Sequence, residues 1–167
     1  DVRVIHSRDG STGVRALWLF LKALLRVLFL GRPRRNLVVA HLSQGGAFVR
    51  EGLLLRLARA RGLRTIAHLH GSRFVDYARE QPVRVRRVLR SADRVIVLSD
   101  ATRTVVRGFL PSDRIELVPN AVSSGAPREK ERLVVFGGSV TRRKGVDVLL
   151  AAWRAVGAGS GWRLVVA

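Results

Sequence analysis

The residues best placed to do chemistry form the run Gly137-Gly138-Ser139-Val140-Thr141-Arg142-Arg143-Lys144-Gly145, between an apolar strand-like stretch and an amphipathic helical one. Three consecutive cations and a glycine-rich turn at a helix start favour a diphosphate, through charge, bidentate guanidinium bonding and exposed amides together. The run is not G-x-x-x-x-G-K-[ST], because Gly145 follows Lys144, and it is not G-x-G-x-x-G. Taken alone, the charges would equally suit a solvated basic turn.

A second group of candidates is the histidines. His6, His41, His68 and His70 all fall at the carboxyl ends of apolar runs, the edge at which open α/β sheets bind ligands. Any one of them could instead be held by a neighbouring loop. His70 is the strongest catalytic candidate, because Gly71-Ser72 follows it and lets a substrate approach the backbone. His68 and His70 alternate as two zinc ligands would, but the chain has no Cys and shows no evident third ligand, so no metal is expected. After the second apolar run, His41-Leu42-Ser43-Gln44-Gly45-Gly46 opens into a helix near Ala47. Its free N–H groups could hold an anion or an acceptor oxygen, and Ser43, Gly45 and Gly46 are the candidate contacts. The same glycines would also make a plain tight turn.

These groups need a scaffold, and short β-branched runs alternating with helical segments predict a parallel, doubly wound α/β sheet. The expected strands are Val2–His6, Leu37–His41, Thr65–His70, Arg94–Leu98, Ile115–Val118, Leu133–Phe136 and Trp162–Ala167, apolar enough to be covered on both faces. Helices are expected at about 14–30, 47–61, 76–91, 100–107 and 146–156. Gly62, Ser99 as an N-cap, and Gly108 followed by Pro111 supply start and stop signals. The polar stretch after Pro119 reads as a linker, which divides the chain into a first domain at 1–118, a linker at 119–131 and the start of a second domain at 132–167. That second part, one βαβ unit, is too short to bury its own sheet. Both ends read as truncated.

Composition narrows the partners less than it first suggests. Of the 167 residues, 31 are basic and 12 acidic, for a formal charge of +19, which favours polyanions, anionic membranes or phosphorylated ligands. The basic residues are nearly all Arg and are scattered, which also fits a chain-wide usage bias. Aromatics are 6% of the chain and sit mostly within apolar runs, which argues against a base-stacking nucleic-acid surface. The segment Val14–Leu30 is apolar except for Arg15, Lys22 and Arg26. Those charges near its centre argue against spanning, so an amphipathic helix with a basic edge is expected.

Four ordered stretches resemble glycosyltransferase family 4, of the GT-B fold class, whose two domains are Rossmann-like. They are His68-Leu69-His70-Gly71-Ser72-Arg73-Phe74, Ala92-Asp93-Arg94-Val95-Ile96-Val97-Leu98-Ser99-Asp100, Arg114-Ile115-Glu116-Leu117-Val118-Pro119-Asn120-Ala121-Val122, and Phe136 through Ala152. The resemblance implies a retaining transferase that needs no metal and no cofactor. The acceptor would bind the first domain and the nucleotide-sugar the second. It assigns Lys144 to the donor diphosphate, with Gly138, Ser139, Arg142 and Arg143 around it. His70 would stand near the reacting sugar, with Gly71 and Ser72 beside it, and Asn120 in the interdomain hinge. Ser139 stands where the family usually has Arg, and Ala121 and Ser123 replace the Gly and Asp of its usual hinge turn. The family's paired glutamates and its first strand with a Gly-rich loop are missing, so the chain by itself is expected to be inactive.

The function expected is glycosyl transfer from a nucleotide-sugar to a hydroxyl acceptor, a sugar or a lipid-linked one, in polysaccharide or glycolipid synthesis. The place expected is the cytoplasm, peripherally on the inner face of the membrane and against anionic lipid, with no nucleic acid involved. Two alternatives are a basic nucleic-acid-binding domain and a GT-B-like sugar-nucleotide epimerase.

Overall fold

Four β-branched runs pair side by side in chain order in the computed structural model, which describes residues 2–31, 36–71, 73–121, 125, 129–156 and 159–167, the side chain of Arg143 excepted. The chain divides into two compact units, residues 1–121 and 122–167. In the first unit the elements are α1 (Gly13–Leu28), β1 (Leu37–Leu42), α2 (Gly45–Ala60), β2 (Arg64–Leu69), α3 (Phe74–Glu80), α4 (Pro82–Leu89), β3 (Arg94–Val97), α5 (Asp100–Arg107) and β4 (Ile115–Leu117). The sheet is parallel throughout, in the order β1-β2-β3-β4.

That order has a consequence for the layers. Right-handed crossovers that always step in the same direction put their helices on the same side of the sheet. The main core accordingly joins Ala40, Leu42, Ala67, Leu69, Val95 and Val97 of the strands to α2, α3, α4 and α5 through Phe48, Leu55, Phe74, Val85, Leu89 and Val106. Each fully buried Leu or Phe there contributes about 1.5–3 kcal/mol. Leu37, Val39 and His41 point the other way and are exposed, and Ile66, His68 and Ile96 are half-buried. Among the described residues, then, the strands are covered on one face, where the sequence suggested two.

A smaller cluster of Ala23, Val27, Leu54, Ala58 and Leu63 seats α1 against α2. The two helices α2 and α4 approach closely at Gly52, where an added Cβ would lie 2.7 Å from Val88 Cγ2. Buried Thr65 ties β2 to the start of β3: its hydroxyl donates to the Ser91 carbonyl at 2.9 Å, and its N–H donates to the Asp93 carboxylate at 2.8 Å. Ser99 caps α5 by accepting from the Thr102 N–H at 3.3 Å, as its position suggested.

Two expectations need correction. Residues 2–6 form no strand. Val2 and Val4 stay exposed, and the segment is held through buried Ser7, whose hydroxyl donates to Glu51 and accepts from Arg50 Nε at 3.0 Å. His6 is therefore exposed and ends no strand. The single helix expected at 76–91 is two, because Pro82 cannot accept continuation from a helical Gln81, whose φ of −128° and ψ of 51° lie outside the helical region.

The second unit holds β5 (Leu133–Phe136), a 3-10 turn at Arg142–Lys144, α6 (Val146–Val156) and β6 (Arg163–Val166). Its two strands pair in parallel, Leu133 beside Arg163 through Phe136 beside Val166. Among its described residues only Val146 is buried, and Val135, Val165 and Trp162 are exposed.

Candidate functional site

The parallel register sets His41 of β1 directly beside His68 of β2. Side chains alternate along a strand, so His70, two residues after His68, projects from the same face. The His70 N–H donates to the Leu42 carbonyl at 2.6 Å, which carries the ladder one step past β2 and fixes that backbone. The three rings gather as a result. The centroids of His68 and His70 are 4.0 Å apart, those of His41 and His70 are 5.0 Å apart, and those of His41 and His68 are 5.2 Å apart. His41 Nδ1 and His70 Nε2 share a hydrogen bond at 2.9 Å. The cluster stands at the carboxyl end of the sheet, on the face that no helix covers among the described residues.

Burial, helped by the neighbouring His70 and His41, holds His68 below the ordinary imidazole value of about 6.5. Burial and then His41 do the same to His70. Both rings are accordingly neutral at physiological pH, each with a nitrogen lone pair to offer. The Nε2 atom of His68 is buried and has no hydrogen-bond partner among the described residues.

Sequence reasoning singled out His70 and noticed His68, but missed His41 as their neighbour. The signal was present: Ala40-His41-Leu42 and Ala67-His68-Leu69 repeat one tripeptide in two adjacent strands, and equal positions in parallel neighbours lie side by side. The premise that no third histidine joins the pair is thus corrected by geometry.

The loops around the rings are short. Ser43 and Gln44 are half-buried, and Gly45 and Gly46, both exposed, form the first turn of α2, two residues earlier than expected. Gly71 follows His70 with φ of 128°, and an added Cβ there would lie 2.8 Å from Gln44 Oε1. The close approach that this glycine allows is taken by the chain's own Gln44, whose Oε1 is buried without a hydrogen-bond partner among the described residues. Ser72 lies outside the described residues. A cavity of about 610 Å3 runs along the edge of β1, lined by Ile5, Val27, Leu30, Val39 and Leu54 among others, and none of the candidate residues lines it.

In the second unit, Gly138, Ser139, Arg142 and Lys144 are all exposed. The Gly138 N–H donates to the Ala167 carbonyl at 3.2 Å. Arg142 Nε stands 3.7 Å from Asp147 of the first turn of α6. The 3-10 turn closes with the Lys144 N–H on the Thr141 carbonyl at 3.0 Å, and Gly145, at φ of 72°, redirects the chain into α6. The first-turn N–H groups of a helix have no acceptor within it. Lys144 therefore borders a helix start, as the sequence suggested; the Arg143 side chain lies outside the described residues. Asn120 is exposed just after the first sheet, while 122–124 and 126–128 of the expected linker lie outside the described residues.

Among the described residues no helix is long and apolar enough to cross a membrane. On α1 the residues Leu17, Trp18, Leu21, Leu25 and Leu28, continued by its C-cap Phe29, form an exposed apolar stripe, at the spacing of one helix face. Phe20, on the opposite side of the helix, packs inward against the α1–α2 cluster.

Comparison with known proteins adds a family. No curated protein and no solved structure matches the chain. The family model described as the glycosyl transferase 4-like domain matches residues 1–121, the whole of the first unit, and the chain belongs to that glycosyltransferase family.

Proposed function

We propose that this protein transfers a sugar from a nucleotide-sugar to a hydroxyl acceptor during polysaccharide or glycolipid synthesis, with the acceptor at His70 and the donor diphosphate at the Lys144 loop. The observation that carries this reading is the set of strand-end histidines within the unit that matches the glycosyltransferase family. A neutral imidazole there can accept a hydrogen bond from an acceptor hydroxyl. On the donor, the bond from the anomeric carbon to the phosphate oxygen breaks, leaving an oxocarbenium-like centre and a growing negative charge on the nucleoside diphosphate. Lys144 and the first-turn amides of α6 would stabilise that charge, and such stabilisation acts most where charge develops. The acceptor oxygen then forms the new bond to the anomeric carbon, and its proton passes to the neutral His70 ring that accepted its hydrogen bond.

The resemblance to family 4 supports retention of anomeric configuration, a transfer step without a resident metal or cofactor, and the division into an acceptor-binding first domain and a donor-binding second one, joined at the hinge of Asn120. The stripe on α1, flanked by Arg15, Lys22 and Arg26, supports work at the inner, anionic face of a membrane, where a lipid-linked acceptor would be presented. The test is product formation from a panel of nucleotide-sugars, followed by mass spectrometry. His70→Ala should depress kcat far more than it raises the KM for donor. Wild-type kinetics in that variant would remove His70 from the reaction.

A further inference from the structure

We infer that His41, His68 and His70 make a three-nitrogen binding site for a divalent transition-metal ion of the zinc type. One ring nitrogen from each residue can be chosen so that all three lie within 4.8 Å of one another. Tetrahedral zinc bonded to imidazole at 2.0–2.1 Å sets its ligand nitrogens about 3.3 Å apart. The pair His41 Nδ1 and His70 Nε2, now 2.9 Å apart, would open by about 0.4 Å, and the widest pair would close by at most about 1.5 Å. Side-chain rotation covers both movements. The backbone is already fixed, since His41 and His68 are register partners and the His70 N–H is bonded to Leu42.

An independent observation points to a ligand. Among the described residues, His68 Nε2 is buried without a hydrogen-bond partner, and buried polar atoms are ordinarily satisfied. An ion between the rings supplies the missing partner. Imidazole suits zinc, copper and nickel, and three such ligands leave a fourth position open on the side of exposed His41. The ion is no part of the transfer chemistry; it competes for the same His70 nitrogen, so occupancy shuts the acceptor site.

Binding is measured on the untagged, chelator-stripped protein, without reference to activity. Zn2+ is titrated in competition with a chromophoric chelator, and Co2+ is titrated while its visible absorption is recorded. Expected are one equivalent of Zn2+ with a micromolar or tighter Kd, a tetrahedral Co2+ spectrum, and at least tenfold weaker binding in His41→Ala, His68→Ala and His70→Ala. The His6→Ala variant, altered at an exposed residue outside the cluster, should bind as the parent does. Exposed His41 provides the informative variant if His68→Ala fails to fold, and circular dichroism checks each. No binding by the parent, loss of binding with His6→Ala, or retention of affinity in both His41→Ala and His70→Ala would overturn the site. In a transfer assay Zn2+ should inhibit and a chelator should restore activity. If no transfer is found at all, the binding result still decides this inference by itself.

Discussion

His41 Nδ1 and His70 Nε2 stand 2.9 Å apart although 29 residues separate them. The contact exists because β1 and β2 are parallel neighbours with His41 beside His68, and because, among the described residues, one face of their sheet carries no helix. A polar cluster on such a surface remains reachable from solvent while its inner ring loses water.

That partial burial predicts a dependence of stability on pH. The folded values of His68 and His70 lie below the ordinary one, chiefly through burial. Above about 6.5 both folded and unfolded rings are neutral and contribute nothing; below it the unfolded chain takes up protons that the folded one resists. Stability therefore declines as pH falls from about 6.5 toward the lower folded values. Urea unfolding of metal-free protein at pH 8, 6.5 and 5.5 should show this decline flattened in the His68→Gln/His70→Gln double variant. Parallel curves for parent and variant would contradict it.

The α/β alternation, the helix at 13–28 and the Ser99 cap were legible because each rests on local pattern or a single capping residue. His41 was less so: its role comes from register between strands, which sequence reveals only through the repeated Ala-His-Leu. Residues 2–6 misled because alternating Val2 and Val4 imitate a strand, while Ser7 bonds instead to Arg50 and Glu51. Pro82 breaks an otherwise helical pattern, because it disfavours helical dihedrals at Gln81. The open face follows from the one-way strand order, which no single segment encodes.

Close packing of α2 on α4 depends on Gly52. A methyl group there would lie 2.7 Å from Val88 Cγ2, and overpacking of this kind costs about 1–3 kcal/mol, against about 1 kcal/mol gained in helix propensity. Gly52→Ala should thus lose up to about 2 kcal/mol in urea unfolding. Adding Val88→Ala should recover part of the loss, since residues in contact are coupled. Strictly additive losses would mean the helices part without strain.

Gly71 couples the His70 loop to Gln44. Its φ of 128° is unfavourable for any residue with a Cβ, and that Cβ would lie 2.8 Å from Gln44 Oε1. Gly71→Ala should lose about 1–3 kcal/mol of stability and shift the ring resonances of His70. Gln44→Ala in the same chain should relieve the collision but not the backbone strain. Full recovery would show that the backbone there tolerates a side chain.

The exposed stripe on α1 should hold the protein on anionic bilayers. Trp18 is 61% and Leu25 50% exposed, and each Lys or Arg near an anionic surface adds about 1 kcal/mol. Co-sedimentation should favour anionic over neutral vesicles at low salt, weaken at physiological salt, and fall sharply in Trp18→Ser/Leu25→Ser. Indifference to vesicle charge would remove the membrane from the account. Tight duplex-DNA binding that survives physiological salt would favour a nucleic-acid partner instead.

The central claim is that the basic turn at Arg142–Lys144 holds the diphosphate of a sugar donor. It is tested most directly by release of nucleoside diphosphate from a nucleotide-sugar by the full-length enzyme, comparing parent with Lys144→Ala at saturating acceptor. Losing one charge-assisted contact to developing negative charge costs roughly 2–4 kcal/mol. A loss of that size lowers kcat/KM for the donor roughly thirty- to a thousand-fold, with the fold intact by circular dichroism. Unchanged donor kinetics in a folded Lys144→Ala protein would contradict it.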